Sequence, residues 1–186
     1  TTTTVARPGA SLAGPQYSPG GKYVAYVSDE SGWRSLWVAE ADGANPNRIE
    51  TGPGEIGKPD WVPGRTSVRW TPDGQNIVYR SRQAEWNDFN GQLYLVSKDG
   101  GFPEELSLPR GGFCSYSADG SKLAFNRIFR EFRTWKRYRG GMADDIWIYD
   151  FKSKKTENIT SNPALDVIPM WSGQKIYFLS DRGEEK

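Results

Sequence analysis

The chain has 186 residues, enough for a buried core in one or two domains, and its net charge of +1 gives no overall field that would attract nucleic acid or an anionic membrane. It has no histidine and one cysteine, Cys114, which excludes Ser-His, Cys-His and histidine-metal chemistry and internal disulfides. No apolar run approaches the roughly 20 residues that would span a bilayer.

Four stretches of the chain share one pattern: an aromatic residue, Ser or Thr, a glycine-bearing turn, and then an alternating apolar strand. They are YSPGGKYVAYVSD (17–29), WTPDGQNIVYRSR (70–82), YSADGSKLAFNRI (116–128) and WSGQKIYFLSDR (171–182). Their turns begin at Ser18, Thr71, Ser117 and Ser172, at intervals of 53, 46 and 55 residues. A period of this length with several strands per repeat predicts a β-propeller.

The sequence between these stretches supplies the remaining strands of each repeat. Three alternating stretches predict third strands: LWVAEADG (36–43), LYLVSKDGG (93–101) and IWIYDFKS (146–153). Three short stretches predict fourth strands: NRIET (47–51), EELSL (104–108) and ENITS (157–161). The fold class is therefore an all-β propeller of four-stranded blades, a partial ring of about three and a half to four blades.

One place breaks this rhythm. Trp61 and Trp70 both look like the end of a first strand, yet only nine residues separate them, which leaves no room for a blade. We expect the segment from Pro53 to Ser67 not to form a regular blade strand, and a natural insertion or a splice of two propellers would each explain it. Residues 1–64 then hold the first blade and this junction, and the other blades follow in residues 65–186: about 65–109, about 110–160 and an incomplete 161–186.

The last repeat reaches only its second strand, which stops at Arg182. Propellers protect their strand edges by closing the ring, so an incomplete blade predicts association between chains or closure within one chain. The β-branched residues from Thr1 to Ala6 are candidates for a closing strand. We favour self-association over a closed monomer.

The segment FREFRTWKRYRGG (129–141) is the most unusual in the chain, because it carries five basic residues interleaved with aromatic ones. It lies between the second and third predicted strands of one blade. The aromatic spacing favours a helical turn packed on the blade with solvated cations, and a second interpretation is an anchor for an anionic ligand. Nucleic-acid binding has the least support, because one basic loop on a nearly neutral chain makes a small electrostatic footprint.

Residues 65–182 resemble the N-terminal propeller of bacterial tricorn-type proteases, chiefly through GGFCSYSADG (111–120) and FREFRTWKRYRGGMADDIWIYD (129–150). Residues 10–52 resemble the more general PD40 repeats of TolB-type propellers. The tricorn resemblance implies a non-catalytic domain that acts as a gate or guide for peptides, within an oligomeric serine protease whose catalytic Ser and His lie in other domains. It also implies that basic residues of this segment hold the terminal carboxylate of a peptide: Arg133, Lys136, Arg137 and Arg139.

Other candidate residues have structural interpretations. Cys114 is expected to be a small buried residue of a strand. The acidic pairs Asp144–Asp145 and Glu104–Glu105 are expected to be solvated or to cap turns, so we expect neither metal nor cofactor. Asn158 matches the N-glycosylation pattern but lies on a predicted strand, and the tryptophans are expected to pack within and between blades.

The sequence thus predicts a chain without peptidase activity of its own, whose partners are peptides, other proteins or a second copy of itself. A TolB-like protein-interaction propeller and an engineered chimera with a structural role remain alternatives. We expect a soluble protein of the bacterial cytoplasm or periplasm, with no membrane or nucleic-acid partner.

Overall fold

The computed structural model describes residues 9–32, 34–49, 68–81, 91–127, 140 and 143–183. These residues form antiparallel β-sheets and contain no helix. They divide into two compact units, one made of the described residues up to 81 together with 93–106, the other of residues 91–92 and 107–183. No helix in the described part is long and apolar enough to cross a membrane.

The first unit contains two four-stranded sheets, which we call blades 1 and 2. Blade 1 consists of β1 (Leu12–Tyr17), β2 (Tyr23–Ser28), β3 (Ser35–Glu40) and β4 (Asn47–Arg48), paired in chain order. Blade 2 consists of β5 (Val68–Trp70), β6 (Asn76–Ser81), β7 (Gln92–Ser97) and β8 (Glu104–Glu105), also paired in chain order. The fourth strands are two residues long and exposed, which suits an edge that must not pair with another chain.

The second unit contains blade 3 and a two-stranded sheet that we call blade 4. Blade 3 consists of β9 (Cys114–Tyr116), β10 (Lys122–Asn126), β11 (Ile146–Asp150) and β12 (Lys155–Asn158). Blade 4 is the hairpin of β13 (Asp166–Ser172) and β14 (Lys175–Ser180). The predicted four-stranded antiparallel sheets are confirmed, and the fourth strand of blade 3 begins two residues earlier than the sequence indicated.

Blades 1 and 2 share one apolar core. Ala25, Val27 and Leu36 of blade 1 lie in the same buried cluster as Ile77 and Tyr79 of blade 2. Trp70, at the end of β5, belongs to this cluster, and its indole N–H donates a hydrogen bond of 2.8 Å to the carbonyl of Gln16 in β1. The tryptophans were expected to pack within and between blades, and Trp70 packs between blades 1 and 2.

The turn between the first and second strands is built the same way in blades 2 and 3. Thr71 and Ser117 each accept a hydrogen bond from the backbone N–H five residues later, and each hydroxyl donates to the aspartate two residues later, Asp73 or Asp119. These hydroxyl and backbone hydrogen bonds favour the carboxylate form, so the pKa of Asp73 is lowered and that of Asp119 falls to about 2. Blade 1 keeps the Ser18 hydroxyl bond but has Gly20 where the carboxylate would be.

Gly20→Asp is expected to stabilise the chain by about 0.4–1 kcal/mol, since the substitution restricts the unfolded backbone and restores the acceptor for Ser18. A Cβ at Gly20 meets no atom within 4 Å, and its φ lies outside the left-handed range. Denaturant unfolding measures the gain, with Gly20→Ala as the matched control that keeps only the backbone effect.

The two variants should diverge with pH. A lowered pKa in the folded state adds stability that is full above the unfolded value, about 3.9, and is lost as the pH falls through the folded value. The advantage of Gly20→Asp over Gly20→Ala should therefore be present at pH 6 and disappear between about pH 4 and pH 2. Equal stability of the two variants at pH 6 would show that the hydroxyl–carboxylate bond contributes nothing in blade 1.

Two predictions from the sequence fall outside the described residues. They are the irregular junction from Pro53 to Ser67, which includes Trp61, and the candidate closing strand from Thr1 to Ala6. Both stay predictions.

Candidate functional site

The basic segment connects the second and third strands of blade 3. The four residues predicted to hold a carboxylate, Arg133, Lys136, Arg137 and Arg139, lie outside the described residues. The ends of the connection are described: Asn126, the last residue of β10, is the cross-strand partner of Ile146, the first residue of β11. The chain therefore leaves and re-enters the sheet at neighbouring positions of its two inner strands, at one end of the sheet.

A buried carboxylate joins these two ends. Asp144 Oδ1 accepts the backbone N–H of Arg127, at the start of the connection, with an N···O distance of 3.1 Å. The same oxygen accepts the N–H of Asp145, at the end of the connection, at 3.0 Å. Asp144 Oδ2 accepts the side-chain amide of Asn126 at 3.0 Å. We call these three hydrogen bonds the Asp144 clamp.

Asp144 corrects one expectation from the sequence. The pair Asp144–Asp145 was expected to be solvated or to cap a turn, but the Asp144 side chain is fully buried. A buried carboxylate must be hydrogen-bonded to offset its desolvation, and the clamp supplies these bonds. Asp144 is therefore neither solvated nor a turn cap, because it is buried and its carboxylate joins residues at the two ends of a long connection. Glu104 and Glu105 of β8 are exposed, as expected.

The clamp is connected to β13 of blade 4 by two further bonds. The backbone N–H of Asp166 donates to the carbonyl of Asp144 at 2.8 Å. The N–H of Ile168 donates to Asn126 Oδ1 at 3.3 Å, so the amide of Asn126 donates to the clamp and accepts from the next blade. Ile168 has a φ of 57°, in the left-handed region that β-branched residues rarely adopt.

A second buried carboxylate lies at the start of β13. Asp166 Oδ2 accepts Arg182 Nη2 at 2.6 Å and Asn162 Nδ2 at 2.9 Å. Its Oδ1 is buried and has no hydrogen-bond partner among the described residues. Arg182 follows β14 and is half exposed, with its guanidinium 5.2 Å from the centre of the Phe178 ring.

Polar contacts also join the start of β11 to the end of β12 and the residues that follow it. Asp145 Oδ2 accepts Asn158 Nδ2 at 2.8 Å, and the Thr160 hydroxyl accepts the N–H of Ile146 at 2.9 Å. The guanidinium of Arg127 lies 4.9 Å from the centre of the Trp147 ring. Asn158 lies on strand β12, as the sequence indicated, and is its last residue.

The polar side chains at this end of blade 3 have structural contacts. Asp144 and Asp166 accept hydrogen bonds from amides or from a guanidinium, and neither lies against a hydroxyl or thiol nucleophile in the contacts described. Cys114 is buried in β9, as predicted. In the described part of the chain, no three Asp, Glu, Cys or His residues group closely enough to hold a metal ion. These contacts therefore fix the described residues that flank the basic segment, Arg127 on one side and Asp144 and Asp145 on the other.

Comparison with known proteins identifies the family of this chain. The family described as the tricorn protease N-terminal beta propeller domain matches residues 4–186. The chain belongs to this family. The match includes the first third, where the sequence alone resembled general propeller repeats. It does not test whether the chain is a splice, and that hypothesis stays a prediction.

Individual relatives of this propeller domain agree with the family. Tricorn protease homolog 1 from Streptomyces coelicolor is 30% identical over 172 residues, which is 90% of this chain and 15% of that protein. The solved tricorn protease structure has a TM-score of 0.69 at 22% identity and covers 96% of this chain and 17% of that one. A putative TolB from Agrobacterium tumefaciens has a TM-score of 0.69 at 21% identity, over 96% of this chain and 57% of that one.

These figures confirm the β-propeller fold and the tricorn and TolB likeness. The two solved structures are below 25% identity and inform the fold alone. The chain spans about one-seventh of the length of its Streptomyces relative.

Proposed function

We propose that this chain is a non-catalytic propeller domain of a tricorn-like serine protease, and that it guides peptides by holding their terminal carboxylate. The family match supports the first part. The observation that carries the second is the Asp144 clamp: one buried carboxylate joins the residues that flank the segment with Arg133, Lys136, Arg137 and Arg139. A segment held at both ends loses less conformational entropy when it binds a ligand.

The basic residues suit a carboxylate for a chemical reason. A guanidinium group offers paired N–H donors in the geometry of a carboxylate, and a lysine adds a point charge nearby. Peptides of differing sequence share the terminal carboxylate, so a site that recognises this group accepts many of them. Such a site guides peptides without cleaving them, and with no histidine in the chain we expect no Ser-His or Cys-His hydrolysis by it.

The TolB likeness supports a second candidate function. A propeller of this fold could serve as a protein-interaction module, and a TolB-like role would favour the periplasm, whereas a tricorn-like role is compatible with the cytoplasm. A structural role in an engineered chimera and self-association of the chain also stay proposals. Binding of a free carboxylate distinguishes the first function, because a protein-interaction surface has no need for a peptide terminus.

The test is peptide binding measured by fluorescence anisotropy, with one fluorescein-labelled hexapeptide carrying either a free C-terminal carboxylate or an amide. We expect the free acid to bind more tightly than the amide. Lys136→Gln/Arg137→Gln should reduce binding of the free acid about tenfold or more, since a hydrogen bond to a charged group contributes about 1.5–3 kcal/mol. Binding of the amide should change little.

The matched control neutralises two exposed lysines elsewhere, Lys152→Gln/Lys175→Gln, and changes the net charge by the same amount. Equal losses in both double variants would mean that overall charge, and not the segment, attracts the peptide. Equal affinity of the wild-type chain for the acid and the amide would contradict carboxylate anchoring and favour the protein-interaction function. The labelled peptide should remain uncleaved throughout.

A further inference from the structure

Asn126 departs from the residues at its position in the other second strands. The strand pairing and the repeat match it to Val27 of blade 1, Arg80 of blade 2 and Leu179 of blade 4. Its side chain bonds Asp144 and the backbone of Ile168. Among the four blades, only blade 3, which carries the basic segment, has an uncharged polar side chain at this position.

Ile168 is a second departure, and it is bonded to the first. In blade 1 the matching position of the first strand is Gly14, with a φ of 58°, followed by Pro15. In blade 4 it is Ile168, with a φ of 57°, followed by Pro169. Both strands have a register irregularity at this place. Glycine adopts this conformation without strain, whereas isoleucine needs its surroundings to hold it there.

We propose that Asn126 is a positioning residue for the basic segment: its side-chain amide fastens the Asp144 clamp to the strained bulge of β13. This inference rests on the proposed function, because the segment it positions is the one assigned to the peptide carboxylate. Its physical basis is the polarity of the two bonds. Nδ2 donates to a carboxylate, and Oδ1 accepts from a backbone N–H. No other uncharged side chain of similar size combines a donor and an acceptor in this arrangement.

The polarity of the bonds makes a reciprocal exchange possible. Asn126→Ser leaves a side chain too short to reach both partners. Asp144→Asn turns an amide donor toward the Asn126 amide donor. Combining Asn126→Asp with Asp144→Asn restores the bonds described above: the new amide donates to the new carboxylate, whose second oxygen accepts from Ile168. The amide oxygen of the new asparagine still accepts from Arg127 and Asp145.

The experiment measures the same free-acid and amide hexapeptides on the full chain, together with hydrogen exchange of the Arg127 and Ile168 amides. Asn126→Ser and Asp144→Asn should each weaken binding of the free acid about tenfold, leave the amide peptide nearly unaffected, and speed exchange at both amides. The exchanged double variant should recover affinity to within about threefold of the wild type and restore protection. Val27→Ala, at the matching position of blade 1 and buried in its core, should lower the Tm without changing the preference for the free acid.

Each outcome decides the proposal. Faster exchange with unchanged affinity for the free acid would show that the contacts hold the fold and do not position the segment, and would overturn it. Unchanged exchange at Arg127 and Ile168 in Asn126→Ser would overturn it as well. If the wild-type chain does not prefer the free acid, the proposed function fails on its own. The coupling of the clamp to β13 is then judged by loss of protection in the single variants and its return in the double variant.

Discussion

Trp70→Ala is expected to lower the free energy of unfolding of the unit that contains blades 1 and 2 by about 3–5 kcal/mol. The indole is buried in the cluster that both blades share, beside Ala25, Val27 and Ile77. Its removal takes away apolar contacts on both blades and leaves a cavity. It also leaves the carbonyl of Gln16 without the indole donor at 2.8 Å.

Two further variants separate these contributions. Trp70→Phe keeps most of the apolar contact and loses the hydrogen bond, so it should cost about 1 kcal/mol beyond its small loss of volume. Phe102→Ala removes an aromatic ring that is 97% exposed and should leave stability unchanged. Chemical denaturation followed by circular dichroism measures all three. If Trp70→Ala unfolded at the same denaturant concentration as Phe102→Ala, the shared core between the two blades would be wrong.

The fold could be predicted because each repeat has a local sequence pattern that specifies its turns and strands. The aromatic–Ser/Thr–turn–apolar pattern sets the first hairpin of a blade, and Thr71 and Ser117 make the same hydroxyl contacts in two of them. Alternation of apolar residues then fixes the third strand. The fourth strands were the least predictable, because β4 and β8 are two-residue edge strands with little apolar pattern to read.

The support of the basic segment could be predicted only in part. The sequence placed the segment between two strands of one blade, and the described ends agree. The sequence did not predict that Asp144 would be buried, because its burial depends on β13 of blade 4, which bonds the backbone of Asp144. Asn126 carried a usable signal, since it is an uncharged polar residue where the other second strands have Val27, Arg80 and Leu179. Ile168 carried a weaker signal, because only its match to Gly14 of blade 1 marks a left-handed conformation at this position.

Arg182→Ala should lower the free energy of unfolding by about 2–3 kcal/mol, because it leaves a buried carboxylate without its cation. Asp166 is fully buried. Within the part of the chain that the structure describes, its Oδ1 has no partner and its Oδ2 would keep the amide of Asn162 alone. Breaking a buried ion pair costs about 3–5 kcal/mol, and the figure here is lower because Arg182 is 51% exposed and water replaces part of its contact.

A double-mutant cycle assigns this loss to the pair. Arg182→Ala/Asp166→Ala should be less destabilised than the sum of its single variants, since removing the carboxylate also removes the unpaired charge. Asp99→Asn, which neutralises the 78% exposed partner of Lys98, is the control and should have little effect. Strict additivity of the Arg182 and Asp166 variants would mean that the 2.6 Å contact does not hold β13 against the end of β14. A measured coupling would instead make this pair the second fixed point of β13, beside Asn126 and the bulge at Ile168.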